Sequence, residues 1–212
     1  DRICGGLRDG HATTMGGREV KLARHGFARK QEWKLEEQSD NMVALSLSST
    51  DHAELLEQYP YPFKIVARYT IDSEKVAVSY EVTNEGTEDM PFFVGGHPGF
   101  KCPLDEGESY DDYELRFEQR EATELCTAVP STGLIDVEHR SKNPMVGHDL
   151  PLTHELFDFA ETIFDMLESR VVTLTKKTED KGVRLTFPDM PYLIVWSKPC
   201  LLYTSPSPRD MR

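Results

Sequence analysis

The sequence FKIVARYTIDSEKVAVSYEVTN, residues 63–84, alternates apolar and polar side chains on both sides of a short charged turn. Every second side chain of a β-strand lies on the same face, so Phe63, Ile65 and Ala67 are expected to share one face. Val76 and Val78 repeat this alternation after the turn. The stretch therefore predicts an antiparallel hairpin, which ends at the Asn-Glu-Gly turn signal of residues 84–86.

Strand patterns extend outward from this hairpin. Further strands are expected at residues 32–37, 42–48, 113–118 and 123–129, and a second hairpin joins 170–175 to 183–187. Helical patterns are scarce. Asp51-His52-Ala53-Glu54 has the spacing of an N-capping box that opens about two turns of helix, and residues 153–157 predict another short helical turn. Many short strands with few helices predict an all-β sandwich of large antiparallel sheets.

Length and composition predict one domain over residues 1–199. A chain of 212 residues with 38% apolar residues can form a single β-sandwich core. No apolar run approaches the roughly 18 residues of a membrane-spanning helix, so no membrane partner is expected. The N-terminus has neither a signal-like apolar region nor an initiator Met, and we interpret it as the start of a fragment.

Charge and cysteine spacing predict the partners and the compartment. The formal net charge of -13 argues against nucleic acid, because its phosphates would be repelled. Cys4, Cys102, Cys126 and Cys200 lie far apart and form no Cys-x-x-Cys pair. This spacing favours reduced thiols and a cytoplasmic location over a disulfide framework or a zinc site.

The last residues differ from the rest of the chain. Residues 200–212 show no alternation and contain two Ser-Pro steps, which oppose both helix and strand. We interpret this segment as a non-native tail that resembles a translated cloning adapter. On this interpretation native C-terminal sequence is missing.

Common catalytic and metal motifs are not found. The sequence has no His-Glu-x-x-His, no His-x-His and no Gly-x-Ser-x-Gly elbow. The pairs at residues 148–149 and 154–155 are interpreted as solvated or capping residues. We therefore expect no metal.

Two histidine segments are candidates for chemistry. His25-Gly26-Phe27-Ala28-Arg29 precedes Trp33, and imidazole and guanidinium donors beside aromatic rings suit sugar hydroxyls. The alternative is a structural Arg29 and a half-buried His25. His97 lies in Gly-Gly-His-Pro-Gly-Phe, residues 95–100, which predicts a constrained turn at a strand end and a histidine placed to move a proton. The alternative is a structural histidine in a β-turn.

The order of these segments resembles the aldose 1-epimerase (galactose mutarotase) superfamily, particularly its smaller bacterial LacX-like branch. The resemblance runs from Ile3 to Pro199. It rests on CGGLRDG at 4–10, HGFAR at 25–29 with Trp33, VTN at 82–84, GHPGF at 96–100, LTHELF at 152–157 and PYLIVWSKP at 191–199. It implies a β-supersandwich of large antiparallel sheets with few short helices and a sugar cleft, here incomplete at both ends.

The resemblance also implies a reaction. Members of the family interconvert the α and β anomers of an aldose without a cofactor. A carboxylate removes the proton of the C1 hydroxyl while a histidine protonates the ring oxygen. His97 matches the acid histidine, His25 matches a histidine that contacts the sugar, and Arg29 falls where hexose-phosphate mutarotases carry a substrate-binding arginine. The expected partner is therefore an aldose or a sugar phosphate, and the oligomeric state stays open.

Two departures from the family pattern bear on catalysis. The family's general base is a glutamate in a Glu-Pro-Trp segment that follows the match to residues 191–199, and no Glu follows Glu179 here. LacX-like chains tend to have an Asp near Ala160, where this chain offers Asp158 and Glu161. The expectation is that this chain lacks its catalytic base. The rival hypotheses are a non-catalytic carbohydrate-binding protein that uses the same cleft and a purely structural β-sandwich.

Overall fold

The computed structural model describes residues 6–129, 131–158 and 161–198. Strands account for 42% of the described residues and helical turns for 9%, and within these ranges no helix reaches seven residues. No helix in this part of the chain is long and apolar enough to cross a membrane. The prediction of an all-β fold is therefore confirmed. The predicted tail at residues 200–212 lies outside the described residues.

The chain divides into two compact units. The first unit comprises Asp1–Gly96 with Thr132–Leu134, and the second comprises His97–Ser131 with Ile135–Arg212. The prediction of one domain over residues 1–199 stays a prediction, and an unfolding experiment that tests it is given in the Discussion.

The described residues of the first unit form six strands in two antiparallel sheets. The strands are β1 (His11–Thr13), β2 (Glu19–Lys21), β3 (Lys34–Ser39), β4 (Met42–Ser48), β5 (Phe63–Asp72) and β6 (Lys75–Asn84). β1 pairs with β2, and the other four form a sheet in the order β3-β4-β5-β6. β5 and β6 pair from Phe63 opposite Asn84 to Asp72 opposite Lys75, so the predicted hairpin is confirmed.

The core of the first unit lies at the Phe63 end of this hairpin. Its buried residues are Val20, Leu47, Leu55, Tyr59, Tyr61 and Phe63. Leu55 belongs to a 3-10 helix at Ala53–Glu57, which replaces the α-helical turns expected there. The expected capping box is wrong, because the Ser48 hydroxyl donates to the Asp51 carboxylate (3.0 Å) and accepts from the Asp51 N–H (3.1 Å). The side chain of Asp51 is therefore held by the preceding strand.

The second unit contains the remaining strands, again in two antiparallel sheets. They are β7 (Tyr113–Phe117), β8 (Glu124–Val129), β9 (Leu134–Lys142), β10 (Asp149–Pro151), β11 (Thr162–Phe164), β12 (Val171–Lys176), β13 (Gly182–Thr186) and β14 (Leu193–Val195). Of these, β9 enters the second unit at Ile135. The sheet orders are β10-β7-β12-β13 and β14-β11-β8-β9. The predicted second hairpin is confirmed as β12 and β13, whereas β9, β10, β11 and β14 were not predicted.

The main core of the second unit joins these two sheets. The rings of Phe117 on β7 and Phe164 on β11 lie 4.9 Å apart between centroids. Leu125, Leu150, Leu167, Val172 and Phe187 complete the buried cluster. Since the cluster draws side chains from both sheets, it is the sandwich core that alternation of apolar residues predicts.

An ion pair connects β9 to the end of β11. The Arg140 guanidinium donates to both carboxylate oxygens of Asp165, at 3.0 and 2.5 Å. Both side chains are largely buried, with 20% and 13% of their surface exposed. The hydrogen bonds from Arg140 lower the pKa of Asp165. A two-pronged pair of this kind is among the stronger polar contacts in proteins.

This pair predicts a dependence of stability on pH. The pKa of Asp165 is lower in the folded than in the unfolded chain, so its contribution is fully present above about pH 4 and is lost as pH falls through the folded pKa. We expect Asp165→Asn to lower the free energy of unfolding by roughly 1–3 kcal/mol at pH 7. Urea unfolding at pH 7 should show this loss, and the difference from the wild type should shrink at more acidic pH. The fully exposed Asp180 serves as the control, with Asp180→Asn close to the wild type. An Asp165→Asn deficit that does not change with pH would contradict the assignment.

Candidate functional site

His25 and Arg29 lie on one short loop of the first unit. His25 and Gly26 both have a φ of +67°, and the Gly26 N–H donates to the Ala23 carbonyl at 2.9 Å. Left-handed backbone is uncommon for a residue other than glycine, so the turn constrains which side chains are tolerated at position 25. Arg29 follows in a 3-10 turn, Ala28–Lys30. Both candidate side chains are exposed at the surface.

This loop is fixed to the core by its aromatic neighbours. The Phe27 ring lies 5.5 Å from Phe63 and 6.1 Å from Tyr59 between ring centroids. The Trp33 indole N–H donates to the Ala28 carbonyl at 3.0 Å. These contacts hold the backbone between His25 and Arg29, so the loop presents an imidazole and a guanidinium from a fixed support. The structure places both exposed residues on this loop, and their role in binding stays a prediction.

His97 lies in an irregular segment, and the predicted turn at a strand end is wrong. β6 ends at Asn84, and residues 91–100 adopt neither strand nor turn. Pro91 and Pro98 supply no backbone N–H, which opposes strand pairing in this segment. The segment begins at Pro91, whose carbonyl accepts a hydrogen bond from the Tyr59 hydroxyl at 2.8 Å. Burial raises the pKa of Tyr59 to about 12, so this hydroxyl stays protonated and keeps donating. His97 itself is exposed.

The residues that follow His97 are held by charged groups of the second unit. Glu108 accepts hydrogen bonds from Lys176 (2.6 Å) and from the Tyr113 hydroxyl. The same hydroxyl accepts from the Leu104 N–H at 3.1 Å. Lys181 adds an ion pair with Asp105 at 2.9 Å. The bond from Lys176, followed by that from Tyr113, lowers the pKa of Glu108, so this carboxylate stays charged at neutral pH.

His154 has an aromatic partner that its sequence neighbours do not reveal. Its ring stacks on Tyr110 at 5.4 Å between centroids with 25° between planes, and its Nε2 lies 4.0 Å from the Asp111 carboxylate. The 3-10 helix His154–Phe157 has Thr153 as its N-cap residue, which confirms the short helical turn predicted there. The stack joins residues from distant parts of the sequence, so no local pattern could have found it.

A cavity of about 510 Å³ in the first unit is not lined by the candidate residues of that unit. Arg18, Tyr61, Asn84 and Glu88 are among its lining residues, and neither His25 nor Arg29 is. Arg18 donates twice to Glu88, at 2.7 Å each, and lies 5.9 Å from the centre of the Tyr61 ring. The charged side chains of this cavity, Arg18 and Glu88, therefore form an ion pair with each other. In the described ranges no three His, Cys, Asp or Glu side chains are grouped so that they could hold a metal ion.

The family model described as aldose 1-epimerase matches residues 2–211. Protein LacX of Lactococcus lactis subsp. lactis is 39% identical in its plasmid form, over 92% of this chain and 66% of that protein. The chromosomal form is 41% identical over 83% of this chain and 58% of that protein. The chain thus spans less than two thirds of the length of these relatives.

Solved structures show the same fold. A galactose mutarotase-like protein from Lactobacillus casei has a TM-score of 0.74 at 28% identity, over 92% of this chain and 66% of that chain. A galactose mutarotase related enzyme from Lactobacillus acidophilus has a TM-score of 0.76 at 26% identity, over 92% and 64%. These matches confirm the predicted galactose mutarotase-like β-supersandwich. The chain belongs to the aldose 1-epimerase family, in its LacX-like branch.

Proposed function

We propose that this protein interconverts the α and β anomers of an aldose by general acid–base ring opening, with His97 as the acid. The observation that carries the proposal is the aldose 1-epimerase match over residues 2–211, which includes His25, Arg29 and His97. Histidine is the side chain whose ordinary titration range suits proton donation near neutral pH. The exposure of His97 also supports this role, since an incoming sugar can reach its ring.

The reaction needs a proton at one oxygen and the loss of a proton at another. A carboxylate base takes the proton of the C1 hydroxyl, and the C1–O bond to the ring oxygen breaks as His97 donates its proton there. No residue of this chain is assigned as that base, because no Glu follows Glu179. The open-chain aldehyde then rotates about C1–C2. The reverse proton transfers close the ring from the other face, which restores both catalytic groups. Each half of such catalysis typically contributes about 100- to 10,000-fold to the rate.

His25 and Arg29 are proposed to bind the substrate. A guanidinium has five N–H donors and no acceptor, so Arg29 suits the lone pairs of sugar hydroxyls or the oxygens of a phosphate. The anchoring of the loop by Phe27 and Trp33 favours binding, because little conformational freedom is lost when the sugar arrives.

Substitution of the loop residues tests this role. We expect Arg29→Ala and His25→Gly each to weaken sugar binding by about 10-fold or more, because each removes a directed donor and glycine keeps the left-handed backbone of position 25. Calorimetric or NMR titration with D-galactose, D-glucose and glucose 6-phosphate measures the affinities. A loss confined to the phosphate ester in Arg29→Ala would identify a sugar phosphate as the substrate class. Lys30→Ala, an exposed cation in the same 3-10 turn, is the matched control. Equal affinities for Arg29→Ala and Lys30→Ala would contradict the binding role.

Carbohydrate binding without catalysis is the second candidate function. It is favoured by the His25–Arg29 loop, whose two donors belong to the first unit and need no proton transfer to hold a sugar. Polarimetry separates the two functions. Acceleration of anomer interconversion supports the enzyme, whereas binding with no acceleration supports the second candidate.

A further inference from the structure

β6 forms an edge that is open to pairing. It is the last strand in the order β3-β4-β5-β6, and among the described residues no strand pairs with its outer side. Its ten residues, Lys75–Asn84, include only two charged side chains, Lys75 and Glu81. The opposite edge strand, β3, carries Lys34, Glu36 and Glu37 among six residues. Charged side chains protect an edge against association, so β3 is protected and β6 is open.

The apolar face of β6 is exposed near the turn of the hairpin. Val76 and Val78 are 66% and 44% exposed. Their cross-strand neighbours on β5, Ile71 and Tyr69, are 55% and 39% exposed. Four neighbouring apolar side chains therefore face solvent on one side of the sheet. A contiguous apolar patch beside an unpaired edge is typical of an interaction surface.

We propose that β6 pairs antiparallel with β6 of a second copy of this chain, with the two Val78 residues opposite each other on a twofold axis. In this register Lys75 lies opposite Glu81 of the second copy. Val76 lies opposite Tyr80 of the second copy. The twofold axis repeats both pairs, and the two sheets become one.

The register follows from the period of the strand and from its two charges. In an antiparallel pair, residues that lie directly opposite each other point to the same face of the sheet. A register with Val78 opposite an odd-numbered residue would therefore place the apolar face of one copy beside the polar face of the other. Among the remaining registers, one centred on Ser79 sets Lys75 opposite Thr83. One centred on Ala77 sets Lys75 opposite Ser79. The Val78-centred register is the one that pairs Lys75 with Glu81.

The two charged side chains of β6 are complementary to those of a second copy in this register. The chain has a net charge of -13, so two copies repel each other unless the contact brings opposite charges together. The proposed register does so at both ends through the two Lys75–Glu81 pairs. Because a single strand pair forms a narrow interface, we expect a dissociation constant of roughly micromolar order.

Reversal of the charges at Lys75 and Glu81 tests the proposed pairing of the two β6 strands. Sedimentation or light scattering of the 212-residue chain should show a mass that rises with concentration towards that of two 24.2 kDa chains. Val78→Lys should abolish this rise, because it opposes two lysines on the axis. Glu81→Lys and Lys75→Glu should each weaken association by about 10-fold or more, since each opposes like charges. The double variant, with both substitutions, should restore it.

A matched control separates this interface from a general effect of charge. Glu85→Lys makes the same charge change as Glu81→Lys, directly beyond the end of β6, and should leave association at the wild-type level or above it. Circular dichroism and melting temperature check that each variant is folded. A mass of 24.2 kDa at all concentrations would overturn the proposal. It would also be overturned by a dimer that persists in Val78→Lys, or by a double variant that stays as weak as the single ones.

Discussion

His97→Asn is expected to lower the rate of anomer interconversion by about 100- to 10,000-fold, the usual contribution of one general acid. Asparagine is close to histidine in size and keeps hydrogen-bonding atoms, but it cannot deliver a proton. The change should therefore fall on kcat, while the affinity for the sugar stays within a few-fold. Because His97 is exposed in an irregular segment, the fold should tolerate the change.

Polarimetry or NMR exchange measurements on a freshly dissolved anomer give the rates. This chain covers 66% of the length of the plasmid LacX protein. The assay therefore has a second arm, in which the chain is extended to the length of that relative. His139→Asn is the control, because His139 is 86% exposed and pairs only locally with Asp136 at 2.9 Å. A His97→Asn protein that keeps near-full activity would show that another residue is the acid. If the wild type does not accelerate the reaction in either arm, the catalytic proposal fails and the binding function remains.

Phe164→Ala is expected to lower the free energy of unfolding by about 3–5 kcal/mol, the usual range for removal of a buried aromatic ring. Phe164 is 1% exposed and its ring packs against Phe117 between the two sheets of the second unit. The substitution leaves a cavity that the surrounding strands cannot fill. A domain's whole stability is about 5–15 kcal/mol, so the loss is a large part of it.

Urea unfolding followed by tryptophan fluorescence measures this loss and also tests the number of domains. The sequence has two tryptophans, Trp33 in the first unit and Trp196 in the second. Replacing one or the other by Phe leaves a single reporter for each unit. If both reporters shift to lower urea in Phe164→Ala, residues 1–199 unfold as one domain. If only Trp196 shifts, the units unfold separately.

Phe93→Ala removes the same ring from a position that is 70% exposed, and should change stability little. A Phe164→Ala protein as stable as this control would contradict the core assignment.

The fold was predictable where its signal is local. β4 has the predicted bounds and β5 pairs with β6 in the predicted hairpin, because alternation over seven or ten residues can be recognised without knowledge of the partner strands. The strands that were missed include β10, β11 and β14, which have three residues each. A segment of three residues is too short to show an alternation of apolar and polar side chains. It forms a strand only where neighbouring strands supply backbone hydrogen bonds. β9 is longer, but its exposed and partly exposed residues leave no clear apolar face.

The placement of the candidate residues was predictable where it is local. His25 and Arg29 lie on one loop because they are close in sequence, and the aromatic residues that hold this loop are also sequence neighbours. The glycines around His97 did not predict the conformation of this segment. The prolines of the segment lack a backbone N–H, so they remove hydrogen bonds that a strand would need. The Glu108–Lys176 bond and the stack of Tyr110 on His154 join residues far apart in sequence. Such contacts require the three-dimensional fold.

The left-handed backbone at His25 limits how this position can change over evolution. A φ of +67° is tolerated by glycine and, among other residues, mainly by Asn, Asp and His. These last three are also the short polar side chains that can meet a sugar hydroxyl. Under the proposed binding role, variation at position 25 is limited both by conformation and by chemistry, and both limits admit nearly the same few amino acids. A lineage that acquires a different sugar preference is therefore expected to change the residues that neighbour His25 before it changes His25 itself. A library randomised at position 25 should return only a narrow set of variants that fold and bind sugar.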